Sequence, residues 1–447
     1  MEAEFSKGAD SNSKKTQFGI KEWDSHVPII PLRFPAHVAG SGLFFGFLVL
    51  LTIHDILKPH LPFVRFSDET ICVLLFCYLL LKALRHRLRI GFITIALFLF
   101  VVYGLFLLNL ENLPLSHIAQ ILISSKYLII LSVYCEVKKP ESYISIFSTW
   151  LYLVNSVTLV MIVLQYVIGQ PMFDLLHIPM QFRGELLRCT GIFSSPVQSA
   201  YFLFIALAFL CSKILWNRKL TVMETVLLIA DITFLSLSLV RRFVIPMGVI
   251  AFFLILRKYK AKRIVFPMML FLFFLGLLLT PLLLQNLKKY NSQVLDDPLY
   301  IRRILMTNGY EIAKKKFPFG SGPGTFGTKY SVEDYSPYYY DFGMDKTFHF
   351  HPGQKHMSVY DSFLASFTAE YGFLALLAYL GLVLWIWKRL YRERWRNQFV
   401  LFTIFIFIDF LFENFLTSLQ TSLYGFFTFS IIALGLNLSL EKKEEID

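Results

Sequence analysis

Apolar runs of about 18–24 residues recur along almost the whole chain, and each is long enough to cross a bilayer. Lipid offers no hydrogen-bond partner to backbone groups, so runs of this length fold as helices. The charged fraction is 17%, where a soluble domain sits nearer a quarter, and mean hydropathy is +0.58. These features predict an all-α polytopic integral membrane protein. Twelve helices are expected, over 38–57, 70–84, 91–109, 117–135, 144–169, 196–216, 221–240, 243–257, 264–285, 359–387, 398–416 and 417–440. The eighth is short, and a tilted or partly re-entrant course would suit it. The polar stretch 1–36 precedes a first run that is a full span, which does not read as a cleavable leader.

The net charge of +12 raises nucleic acid as a partner, but its distribution excludes it. Lys and Arg cluster in short loops on one side, such as Lys82–Arg89, Lys138-Lys139, Lys213–Lys219, Arg257–Arg263 and Lys388–Arg396. The alternate short loops hold only Lys58, Arg65, Arg183, Arg188, Arg241 and Arg242. This asymmetry places both termini in the cytoplasm. The five cysteines (Cys72, Cys77, Cys135, Cys189, Cys211) are scattered, with no metal or disulfide spacing.

One large loop, 286–358, lies on the opposite side, between the ninth and tenth helices. Loops of this length are usually functional. Within it Tyr300–Lys316 reads as an amphipathic helix closed by Phe317-Pro318, and Tyr338-Tyr339-Tyr340 is a cluster suited to stacking on sugars or to an interfacial belt. A turn follows the helix, Gly320-Ser321-Gly322-Pro323-Gly324-Thr325-Phe326-Gly327. Its Gly-x-Gly-x-x-Gly spacing lacks the strand and helix of a dinucleotide site. Its glycines and proline fit a tight turn that lets backbones approach closely. Downstream are Tyr360-Asp361-Ser362 and Glu370-Tyr371-Gly372.

Arginine on the outer side opposes the insertion bias, and its planar fork suits diphosphate. Snorkelling toward lipid phosphate is the plainer explanation. Arg188-Cys189-Thr190-Gly191-Ile192-Phe193-Ser194-Ser195-Pro196-Val197-Gln198-Ser199-Ala200 resembles the Arg-x-x-Gly-x-Phe-x-x-Pro-Asn-x-x-Ala helix entry of the O-antigen ligase and polymerase family, with Gln198 where Asn is usual. Ser238 followed by Arg241-Arg242 resembles that family's Ser-Arg pair, and the glycine turn followed by an acid and Glu-x-Gly completes the order. The resemblance covers about residues 185–385.

It implies a metal-independent and cofactor-free glycosyltransferase in the bacterial cytoplasmic membrane, working at its outer face on a polyprenyl-diphosphate-linked oligosaccharide. Arg188 and Arg242, with Arg241 as the register alternative, then hold diphosphate. Arg303, Tyr360, Gly322, Gly324 and Glu370 become substrate contacts. The family's His at the start of the tenth helix is absent. Asp361 stands in that register, or Tyr360 if Phe363-Leu364 sets the alignment, and His356 offers imidazole, with His349 and His351 as further candidates. Helix capping explains Asp361 equally well. The missing His and the Tyr-rich loop favour a repeat-unit polymerase over a ligase that transfers glycan to lipid A core. A chain-length regulator is a partner the resemblance allows. A flippase or sugar carrier is the reading from another class. It predicts paired halves and broken helices at mid-membrane, and Lys126 and Asp231, which fall within spans, are the residues that keep it open. Asp409 and Glu413 also fall within a span, four apart on one helix face, where they line the cavity or pair with the outer arginines.

Overall fold

The computed structural model describes residues 39–58, 67–84, 91–108, 115–183, 186–216, 218–238, 243–258, 301–346, 350–353, 362–394, 397–416 and 423–440, with Leu61, Val64 and Val240 singly. Helices form in eleven of the twelve expected segments. They are α1 (Ala39–Leu57), α2 (Ser67–Leu84), α3 (Phe92–Phe106), α4 (Leu115–Tyr134), α5 (Pro140–Ile168), α7 (Pro196–Leu215), α8 (Val222–Leu237), α9 (Val244–Lys258), α13 (Phe363–Arg392), α14 (Gln398–Leu416) and α15 (Leu423–Leu440). The expected ninth span, 264–285, lies outside the described residues. By length and hydropathy α4, α5, α7 and α13 are able to cross a membrane, and shorter apolar helices accompany them.

Shorter elements fill the connections. They are α6 (Gln170–Leu175), a hairpin of β1 (Gln181–Arg183) and β2 (Leu186–Arg188), α10 (Ile301–Lys315), α11 (Lys329–Glu333) and α12 (Pro337–Asp341). The described residues are mostly helical, in line with the all-α expectation, and the hairpin is a small addition in which Gln181 pairs with Arg188 in an antiparallel ladder. Two three-residue strands carry no detectable period-2 pattern, which is why the sequence reads there as plain loop.

The long helices alternate in direction, so the bundle has two ends. At one end lies the α4–α5 turn, where Asn437 near the end of α15 donates to the carbonyls of Tyr134 and Val137 at 3.1 and 2.7 Å. Phe44 near the start of α1 packs on Tyr134 and Tyr143 there. Lys82 pairs with Glu136 and Lys213 with Glu224 at this end, beside Lys138, Lys139, Arg389 and Arg392. The opposite end carries the hairpin, α10–α12 and the start of α13. Between the ends the core is aromatic. Trp150 of α5 stacks on Phe427 of α15, ring centres 5.1 Å apart, and its Nε1 donates to Thr52 of α1 at 3.1 Å.

α10 matches the amphipathic helix expected over 300–316. It lies along α13 so closely that Gly309 faces the Ala365 carbonyl, where a Cβ would come within 2.7 Å. Leu305, Ile312, Phe326, Tyr339, Met344 and Phe350 form a separate small core over Ala365 and Ala369 of α13. The described part of the large loop, 301–346 and 350–353, is thus a folded cap seated mainly on α13.

Candidate functional site

α13 is not continuous. Gly372 has φ 72° and ψ −175°, a conformation that breaks the helix nine residues after Phe363. A break strands carbonyls before it and an N–H after it, and in an apolar bundle these must be met by protein. The glycine turn meets them. Ser321 N donates to Ala369 O and Gly322 N to Glu370 O, both at 2.9 Å, and Leu374 N donates to Pro318 O at 3.3 Å. The Tyr103 hydroxyl, at the end of α3, donates to Tyr371 O at 2.8 Å. The turn takes the place of the missing helical ladder.

The glycines are there because the two backbones touch. Gly320, Gly322, Gly324 and Gly327 all have positive φ. A Cβ on Gly320 would lie 2.5 Å from Gly372 N and 2.6 Å from Glu370 O. Gly324 packs on the His117 ring of α4, where a Cβ would come to 2.8 Å.

The Glu370 side chain is buried inside the turn. Its Oε1 accepts from Phe326 N at 3.2 Å and from the Thr328 hydroxyl at 2.9 Å, and the amides of Gly324 and Thr325 also face the carboxyl group. A chain of hydroxyls fastens the next residues: Gly327 N donates to Tyr339 Oη (3.0 Å), Tyr339 to Ser331 Oγ (2.7 Å), and Ser331 to Thr328 O (2.7 Å). Burial pushes the Tyr339 hydroxyl up to about 12, so it keeps the proton this order requires. Gly322, Gly324 and Glu370, expected as substrate contacts, here bind one another. Replacing Glu370 by alanine would orphan buried donors at about 1–3 kcal/mol each. The expected result is a loss of about 3–5 kcal/mol in unfolding free energy, smaller for Glu370→Gln, which keeps one acceptor oxygen; thermal unfolding in detergent measures both.

The Arg188 motif forms a second constellation at the same end of the bundle. Gln165, fully buried near the end of α5, clamps it. Its Oε1 accepts from Thr190 N and Gly191 N, both at 2.9 Å, and its Nε2 donates to Gly191 O at 2.9 Å and to Thr190 Oγ1 at 3.2 Å. Gly191 (φ 60°) leaves no room beside Thr158, and Ser195 then caps α7 ahead of Pro196. With the strand end fixed, Arg188 is half-buried and its Nε donates to Ser238 O at 2.9 Å, at the C-terminal end of α8. Ser238 is three residues before Arg241 in sequence. The structure thus joins the Arg188 segment to the start of the Ser-Arg segment.

Arg241, Arg242, His349, His356, Tyr360 and Asp361 lie outside the described residues. Ser362 caps α13 through its Oγ, which accepts from Ala365 N. Arg303 is exposed on α10 and Arg302 half-buried. His351 is exposed, on the loop before α13. Lys126, Asp231, Asp409 and Glu413 are all buried in the bundle. Sequence reasoning missed Tyr103, His117, Gln165 and Thr328, and it read Tyr339 as part of an aromatic cluster for sugar stacking or an interfacial belt, whereas its ring is buried in the small core of the cap. Of the missed residues Gln165 had a usable signal, an amide inside an apolar run.

No protein-family model matches this chain, and no curated protein matches it either. The functional reading rests on its own residues and on the order of its motifs.

Proposed function

We propose that this chain is a membrane glycosyltransferase that joins polyprenyl-diphosphate-linked oligosaccharide repeat units into a longer glycan. Its working end is the one that carries the cap, facing away from the cytoplasm, and both termini lie on the cytoplasmic side. The cytoplasmic membrane of a bacterium is the setting this reading implies. The acceptor sugar hydroxyl attacks the donor's anomeric carbon, forming the new glycosidic bond as the bond to diphosphate breaks. Polyprenyl diphosphate leaves, and Arg188 with Arg242, or Arg241 in the alternative register, meets its charge. Asp361 or His356 takes the hydroxyl proton, and Tyr360 and Arg303 contact the sugars.

One observation supports this reading above the others: Arg188 and the cap over the α13 break share one end of the bundle, with Arg188 tied to the segment leading to Arg241-Arg242. It also weighs against a carrier. The break lies about 14 Å along a helix of 30 residues. The chain's own glycine turn occupies its freed backbone groups, whereas a transporter leaves such groups for its cargo.

The test uses protein reconstituted in lipid with a polyprenyl-diphosphate-linked repeat unit, products being resolved by length. The proposal expects a ladder. Transfer only when lipid A core is added would make the chain a ligase. Movement of the substrate across the bilayer without transfer would make it a carrier.

A further inference from the structure

α8 packs between α5 and α7, and near its middle Asp231 meets Asn155 of α5. Asp231 is 0% exposed and Asn155 1%. Asn155 Nδ2 donates to Asp231 Oδ2 at 3.1 Å, while Asp231 Oδ1 and Asn155 Oδ1 have no hydrogen-bond partner. Both orphans are acceptors, and both belong to the same pair. An ionised carboxylate has no donor to offer the amide carbonyl. Turning the amide over does not help, because an oxygen then faces an oxygen.

We propose that Asp231 and Asn155 form a buried proton-binding site, with Asp231 held as a neutral carboxylic acid in a closed ring with the Asn155 amide. In that ring Nδ2–H donates to one carboxyl oxygen and the acid O–H donates to the amide carbonyl. One proton, taken from water, satisfies both orphans.

The surrounding charges agree. Among the described residues no cation pairs with Asp231. Lys213 of α7 is engaged by Glu224 and by the Tyr152 hydroxyl at 3.0 Å. Glu224 is seven residues before Asp231 on α8, about 10 Å away along the axis. Tyr152 of α5 is bound to Glu224, and Cys211 of α7 is a buried thiol. Arg188 bonds Ser238, seven residues beyond Asp231. A proton is thus the ligand for which the pair is built. The site also bears on Arg188, because the α5–α8 seam sets where the Ser238 carbonyl stands.

The test is independent of any transferase activity. Infrared difference spectra of the full chain in lipid nanodiscs would compare wild type with Asp231→Asn at neutral pH. The expected result is a protonated-carboxyl C=O band in wild type that Asp231→Asn lacks, and that Asn155→Ala shifts to higher frequency. Asp231→Asn restores the ring as a pair of amides, so its unfolding midpoint should equal or exceed wild type at neutral pH. It should also lack the decline that wild type shows as pH rises from the ordinary carboxylate range toward neutrality, where the unfolded chain ionises while the folded acid keeps its proton. Only carboxylate bands assignable to Asp231, or a midpoint many degrees lower in Asp231→Asn at neutral pH, would overturn the proposal and mean a charged group met by water or a cation.

Discussion

Gly372→Ala is expected to cost more than about 3 kcal/mol, enough to remove most of a marginal fold. Two effects add. With φ 72° and ψ −175°, the residue occupies a region that is essentially restricted to glycine. A Cβ there would also overlap the Pro318 carbonyl and lie 2.5 Å from Gly320 N and from Phe319 C. All three are backbone atoms of the turn that bridges the break, so no side chain can swing aside to make room. Relief would require the turn to lift off α13, which releases the bonds at Ser321, Gly322 and Leu374 together. The same overlap, seen from the other strand, makes Gly320→Ala damaging as well. Gly381→Ala is the control on the same helix, because a Cβ there meets nothing within 4 Å. It should be neutral, or stabilising by up to about 1 kcal/mol. The yield of monodisperse protein after detergent extraction, and its unfolding midpoint, separate these outcomes. A Gly372→Ala protein that unfolds at the wild-type midpoint would mean that the break is not part of the fold.

The break also marks where sequence reasoning stops. Hydropathy placed helices well, because an apolar run in lipid has one way to satisfy its backbone. It read the α13 run as one smooth helix, because an isolated glycine inside a helical pattern is tolerated as often as it is a break. Glu370-Tyr371-Gly372 and the turn 320–327 were both visible as motifs, yet their union was not. It depends on backbone amides meeting backbone carbonyls some fifty residues apart, which leaves no trace in side-chain patterning. Arg188 was legible because a cation in a loop that the charge pattern assigns to the outer side opposes the insertion bias. Its partner was not, since any residue can supply the carbonyl that Ser238 offers. The acid and amide of Asp231 and Asn155 show how a buried pair hides. The two lie in different apolar runs, 76 residues apart, and nothing in either run marks the other as its partner.

The second large effect belongs to Arg188. If it meets charge that develops as the diphosphate departs, its loss acts mainly on the transition state. Arg188→Ala should then lower the rate of polyprenyl diphosphate release about 10²–10³-fold, the scale seen when one preorganised donor to a developing anion is deleted. Arg188→Lys keeps the charge but loses the planar fork and the Nε bond to Ser238, and it should recover only part of the rate. A wild-type unfolding midpoint in both variants would separate this from a loosened hairpin, since Gln165 holds the segment independently of Arg188. The direct measurement is therefore single-turnover release of polyprenyl diphosphate from a lipid-linked repeat unit, wild type against Arg188→Ala and Arg188→Lys, in reconstituted protein of verified fold. The account predicts fast release from wild type, partial release from lysine and almost none from alanine. Equal release from wild type and Arg188→Ala would contradict it.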